Sequence, residues 1–106
     1  MAFAVQIESF EPSTREARLS LSGELDAAAA GEFKRAIEEV AARTPAAVVL
    51  RMKDLTFMAS AGLRVLIFAK QKMGSGVALT LVGCGASVRE TLEMSGFARS
   101  VVLEDA

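Results

Sequence analysis

The chain of 106 residues contains no histidine, no tryptophan and no tyrosine, and Cys84 is its single cysteine. Without histidine there is neither a Ser-His-Asp nor a Cys-His nucleophile system, and no histidine-based metal site. A single cysteine excludes an intrachain disulfide, which is typical of a protein in a reducing compartment. We therefore interpret Cys84 as a small, semi-buried packing residue.

Charge and hydropathy exclude two further classes of function. The 12 basic and 13 acidic residues nearly cancel and no basic run stands out, so direct nucleic-acid binding is not expected. No apolar stretch approaches the roughly 20 residues of a membrane span, and the first residues lack the pattern of a signal peptide. Since 52% of the residues are hydrophobic, we expect one cytoplasmic domain, residues 1–106, with a core of its own.

Apolar periodicity predicts an alternation of strands and helices. The pattern predicts strands at residues 3–7, 17–21, 46–50 and 77–81, with a short last strand or tail at 101–103. Helical spacing predicts helices at residues 26–43, 60–73 and 87–94. The order is β-β-α-β-α-β-α, with a final β if the tail pairs. It predicts an α/β domain with a mixed sheet of four to five strands and three main helices.

Capping patterns place the predicted helix starts. Asp26 and Ser60 are interpreted as the N-caps of the first two helices, and Ser87 to Glu90 has the spacing of a capping box. Ser60 differs from an ordinary cap because Ala59, Ala61 and Gly62 keep its surroundings small. Most serines at a predicted helix start only cap the helix, and this interpretation also fits Ser60. A helix N-terminus also suits a phosphate, because it carries partial positive charge and free N–H donors.

Two further motifs resemble catalytic or cofactor loops without completing them. Residues 58–62 resemble the second half of a G-x-S-x-G nucleophile elbow, but the first glycine and an activating base are missing. We therefore predict no enzymatic activity. Residues 83–87 resemble a phosphate-binding loop but lack its lysine and its spacing, so we interpret them as a strand-to-helix turn and predict no cofactor.

Three segments of the chain resemble the STAS domain family, and within it the single-domain anti-sigma-factor antagonists of bacteria. They are Gly-Glu-Leu-Asp at 23–26, Leu-Thr-Phe-Met-Ala-Ser-Ala-Gly-Leu-Arg-Val-Leu at 55–66, and Val82-Gly83 through Ser95-Gly96-Phe97. The second segment is the most specific, since it resembles the family's signature loop and helix. The resemblance covers essentially the whole chain.

This resemblance implies a function and a site. The serine before the small-residue–Gly-Leu sequence, here Ser60, would be a phosphorylation site. The implied partner is an anti-sigma factor that is also a serine kinase, and that binds the unphosphorylated antagonist and releases the sigma factor. Phosphorylation would block the binding and a PP2C-type phosphatase would restore it. We accordingly expect partner binding at Glu24, Asp26, Met58, Ala59, Ala61, Gly62 and Arg64.

Several alternatives stay open at the level of sequence. Many family members have an acidic residue where this chain has Ala59, which leaves the identity of the kinase open. Glu24 and Asp26 are equally explained as capping residues, and Arg64 as a solvated helix charge. The chain also fits a non-catalytic STAS subunit that binds the ATPase of a lipid or anion transport system and, less well, a nucleotide sensor. A weak homodimer is a further alternative, because the apolar first strand suits pairing across a dimer edge.

Overall fold

The computed structural model describes residues 2–106 as one five-stranded mixed sheet with three α-helices. The strands are β1 (Ala4–Glu11), β2 (Glu16–Leu25), β3 (Ala47–Met58), β4 (Ala78–Val82) and β5 (Val102–Glu104). The helices are α1 (Ala30–Ala41), α2 (Ser60–Met73) and α3 (Ala86–Met94), and a 3-10 turn at Phe97–Ser100 precedes β5. This order confirms the predicted α/β fold, including its last strand.

The strands lie across the sheet in their order along the chain, β1-β2-β3-β4-β5. β1 and β2 form an antiparallel hairpin, and the remaining neighbours pair in parallel. Parallel neighbours need crossover connections, which α1, α2 and α3 provide. As a result β2 and β3 both end at the same edge of the sheet, and α2 begins there.

One hydrophobic core lies between the helices and a single face of the sheet. Along β2 the side chains alternate, so that Leu19 and Leu21 are buried whereas Arg18 is exposed. The buried residues of α1 are Phe33, Ile37 and Val40, the stripe expected from helical spacing. The opposite face of the sheet carries polar side chains such as Arg18 and Arg51, and there Arg51 Nη1 lies 3.2 Å from Glu8 Oε1.

Several boundaries differ from those predicted. β3 continues to Met58 instead of ending near Leu50, because β2 pairs with it over this additional length. α1 begins at Ala30, and Asp26 caps the turn before it, since the Ala29 N–H donates to Asp26 Oδ1 at 2.9 Å. The predicted capping box from Ser87 to Glu90 is wrong, because the N-cap of α3 is Gly85 and no side chain caps this helix. None of the helices in residues 2–106 has the length and apolar character that crossing a membrane requires.

Candidate functional site

The ends of β2 and β3 are held together where α2 begins. Leu25 is paired with Met58, and the Ala59 N–H donates to the Leu25 carbonyl oxygen at 2.8 Å. This bond fixes the segment that enters α2 against the segment that leaves β2. Glu24 and Asp26, on either side of Leu25, are exposed at this junction. The structure therefore places the two predicted acidic residues at the strand end that adjoins the start of α2.

Ser60 is the first residue of α2, and Ala59 is the N-cap, with an extended backbone at φ −77° and ψ 167°. The expectation that Ser60 caps the helix is therefore wrong, and no side chain makes a capping hydrogen bond here. The Ser60 side chain is exposed, and its hydroxyl has no hydrogen-bond partner within residues 2–106. This hydroxyl is therefore accessible to solvent.

Gly62 lies buried in the first turn of α2, against the side chain of Leu25. A Cβ atom at position 62 would lie 2.7 Å from Leu25 Cγ and 3.0 Å from Met58 Cγ. This close approach is the packing reason for a glycine near a helix start. Because Gly62 and Met58 are buried, they shape the site from beneath and do not form its surface. Ala59 and Ala61 are half-buried.

Phe57 is an exposed aromatic residue at this site that the sequence analysis did not select, with 44% of its surface accessible. It pairs with Glu24 beyond a bulge, where the register shifts between Gly23 and Glu24. At this bulge Gly23 has φ 81°, and the Thr56 hydroxyl donates to the Gly23 carbonyl oxygen at 3.1 Å. The bulge brings Met58 into the core and leaves Phe57 in solvent. In the sequence, the sign of this bulge is Gly23, because a glycine inside a strand pattern often marks a bulge.

Charges of opposite sign surround the junction. A surface groove of about 420 Å³ beside the end of β2 is lined by Glu24, Asp26 and Glu32, together with small residues and Phe3. On α2, Arg64 is exposed four residues after Ser60. Within residues 2–106 no group of acidic or cysteine side chains has the arrangement to hold a metal ion. The site is therefore a protein surface with an accessible hydroxyl, an aromatic side chain and a charged border.

Residues 11–106 match the STAS domain family. The chain is 33% identical, over 78 residues, to the anti-sigma-F factor antagonist RsfB of Mycobacterium tuberculosis. That match covers 74% of this chain and 64% of the relative. The chain thus spans less than two thirds of the length of this curated relative.

Solved structures show the same architecture. The crystal structure of an anti-sigma factor antagonist from Mycobacterium paratuberculosis superposes with a TM-score of 0.86 at 25% identity, covering 97% of this chain and 86% of that one. The anti-sigma factor antagonist SpoIIAA in its unphosphorylated form superposes with a TM-score of 0.77 at 21% identity, covering 99% of this chain and 88% of that one. SpoIIAA of Bacillus in its phosphorylated form superposes with a TM-score of 0.71 at 19% identity, covering 99% of this chain and 91% of that one. The chain therefore belongs to the STAS domain family.

Proposed function

We propose that this chain is an anti-sigma factor antagonist that works as a phosphorylation-controlled partner switch. In the unphosphorylated state it binds an anti-sigma factor that is also a serine kinase, and the sigma factor is released. Phosphorylation of Ser60 blocks this binding, and a PP2C-type phosphatase reverses the block. The observation that carries the proposal is the exposed Ser60 hydroxyl at the first residue of α2, which has no hydrogen-bond partner among residues 2–106. The match to named antagonists supports it.

The partner would bind a docking surface formed by Glu24, Asp26, Phe57, Ser60 and Arg64. All five residues are exposed, and they lie on the end of β2, the end of β3 and the first turns of α2. Exposed aromatic side chains at interfaces commonly carry much of the binding energy, whereas charges at the border direct orientation. We therefore assign anchoring to Phe57 and orientation to the two acidic residues.

Electrostatics explain how a phosphate would block this surface. A phosphoserine adds about −1.5 to −2 charges at neutral pH. At Ser60 that charge would lie close to Glu24 and Asp26, and on a surface that the partner must desolvate. Each loss of about 1.4 kcal/mol weakens binding tenfold, and like charges brought together at an interface cost several kcal/mol. One phosphate is therefore sufficient for a two-state switch.

The test is binding of the purified protein to the serine-kinase anti-sigma factors of its own genome. The wild type is compared with Ser60→Ala, with Ser60→Asp and with Ser75→Asp, which adds the same charge to an exposed serine in the loop after α2. We expect tight binding by the wild type, Ser60→Ala and Ser75→Asp, and loss of binding in Ser60→Asp. Incubation with ATP should add one phosphate, mapped to Ser60 by mass spectrometry.

The opposite results would remove the proposal for those partners. If no kinase binds and no phosphate is added, the role as a subunit that binds a transport ATPase becomes the leading alternative. If a phosphate is added but mapped to another residue, the domain is a kinase substrate without the switch at Ser60.

A further inference from the structure

We propose that Arg64 is the intramolecular partner of a phosphate on Ser60, an inference that rests on the proposed function. Ser60 and Arg64 are four residues apart on α2, and both are exposed. Residues at this spacing lie on the same face of a helix, with Cβ atoms roughly 5–6 Å apart. A guanidinium at that distance reaches a phosphate with two parallel N–H donors.

Arg64 is available for this contact. Within residues 2–106 its side chain has no hydrogen bond, ion pair or ring contact. Two other surface arginines, by contrast, are engaged: Arg15 donates to the carbonyl oxygen of Arg43 at 2.8 Å, and Arg51 pairs with Glu8. A contact between Arg64 and the phosphate would therefore break no existing bond of the fold.

The order of the two charges along the helix is favourable. An anion that precedes a cation by four residues is the better arrangement, because it also agrees with the helix dipole. At position 59, directly before the serine, this chain has an uncharged alanine. On the facing helix α1, the Lys34 ammonium lies 4.8 Å from the centre of the Phe68 ring. The charged groups that the structure places at this junction include Arg64 on α2 and the carboxylates Glu24 and Asp26 at the end of β2.

The contact would give the switch a second component. In the unphosphorylated protein Arg64 is a free cation of the docking surface and can meet an acidic group of the partner. In the phosphorylated protein it would turn towards Ser60 and leave that surface. Phosphorylation would then add negative charge to the docking surface and withdraw a positive one from it.

The experiment uses full-length protein with phosphoserine incorporated genetically at position 60, so that no kinase is needed. Titration by ³¹P NMR gives the second pKa of the phosphate in otherwise wild-type protein and in Arg64→Gln, Arg64→Lys and Lys72→Gln. Position 72 is on the same helix as the phosphate, about 18 Å from position 60 along the helix axis. Arg64 stabilises the dianion and so lowers this pKa, and its removal should raise it by about 0.2–0.4 pH units at low salt.

The three variants test whether Arg64 in particular, and not any cation on α2, lowers the second pKa of the phosphate. Arg64→Lys should retain most of the lowered pKa, and Lys72→Gln should leave the pKa unchanged, since only a nearby cation acts on the phosphate. An identical pKa in wild type and Arg64→Gln, with both folded by circular dichroism, would overturn the proposal. The proposed function is judged separately, by whether the encoded phosphate blocks binding to the kinase partner.

Discussion

Gly62 packs directly onto Leu25, and this contact joins the first turn of α2 to the end of β2. A Cβ atom at position 62 would lie 2.7 Å from both Leu25 Cγ and Leu25 Cδ2, closer than van der Waals contact allows. Leu25 is fully buried, so the surrounding core must accommodate any shift of its side chain. The close approach sets the position of Ser60 relative to Glu24 and Asp26, and any residue larger than glycine would alter it.

We expect Gly62→Ala to destabilise the protein. Overpacking in a core costs about 1–3 kcal/mol, and the better helix propensity of alanine returns up to about 1 kcal/mol. The matched control is Gly31→Ala in the first turn of α1, where the nearest atom to a new Cβ is Arg35 Nη1 at 3.7 Å. That control should be stabilised by about 0.5–1 kcal/mol. Urea denaturation measures the free energy of unfolding of both variants. Equal changes in the two variants would contradict the packing explanation.

We expect Ser60→Ala to leave the free energy of unfolding within about 0.5 kcal/mol of wild type, as is usual for surface positions. The reason is that Ser60 is exposed and caps nothing. Asp26→Ala is the comparison, because it removes the carboxylate that accepts the Ala29 N–H. It should cost about 0.5–2 kcal/mol. A cost of about 1 kcal/mol for Ser60→Ala in thermal denaturation would instead show that its hydroxyl caps α2 in solution.

Much of this architecture was predictable from the sequence, because apolar periodicity decides the type of an element. The alternation at Leu19 and Leu21 and the helical stripe from Phe33 to Val40 are local patterns. The longer β3 was not predictable in the same way. Its second half contains Lys53 and Asp54, which resemble loop residues, and it is a strand because β2 pairs with it.

The candidate site was predictable by position but not in its geometry. The junction at Ser60 follows from where an apolar run ends and a helical one begins. The identity of the N-cap depends on the backbone of Ala59, whose extended conformation no residue type specified. The exposure of Phe57 depends on the bulge between Gly23 and Glu24, a tertiary feature of two paired strands.

We expect Phe57→Ala to weaken partner binding at least tenfold while changing stability little. Phe57 is 44% exposed beside Glu24. Truncation of an aromatic hot spot at an interface costs about 2 kcal/mol or more, and about 1.4 kcal/mol is a tenfold loss of affinity. Val102→Ala is the control, since Val102 is 47% exposed but lies on β5 at the far edge of the sheet. Titration calorimetry with the kinase partner gives both affinities, and comparable losses in the two variants would argue against an anchor at position 57.

We expect Cys84 to react slowly with alkylating reagents in the folded protein. Burial raises the pKa of the Cys84 thiol above its ordinary value of 9.0, and the positive charge of Arg89 opposes part of this effect. The reactive thiolate is therefore scarcer in the folded than in the unfolded chain at the same pH. The stability that the neutral thiol contributes is complete below pH 9.0 and is lost as the pH rises through the folded value.

The pH dependence of iodoacetamide alkylation measures this shift directly. The midpoint of the rate profile should lie at higher pH in native protein than in urea, and Arg89→Gln should move the native midpoint higher still. Steric protection alone would slow the reaction at every pH without moving the midpoint, so the profile separates the two causes. A native midpoint equal to that of the unfolded chain would show that the thiol is fully solvated, and that the turn between β4 and α3 is more open than the structure shows.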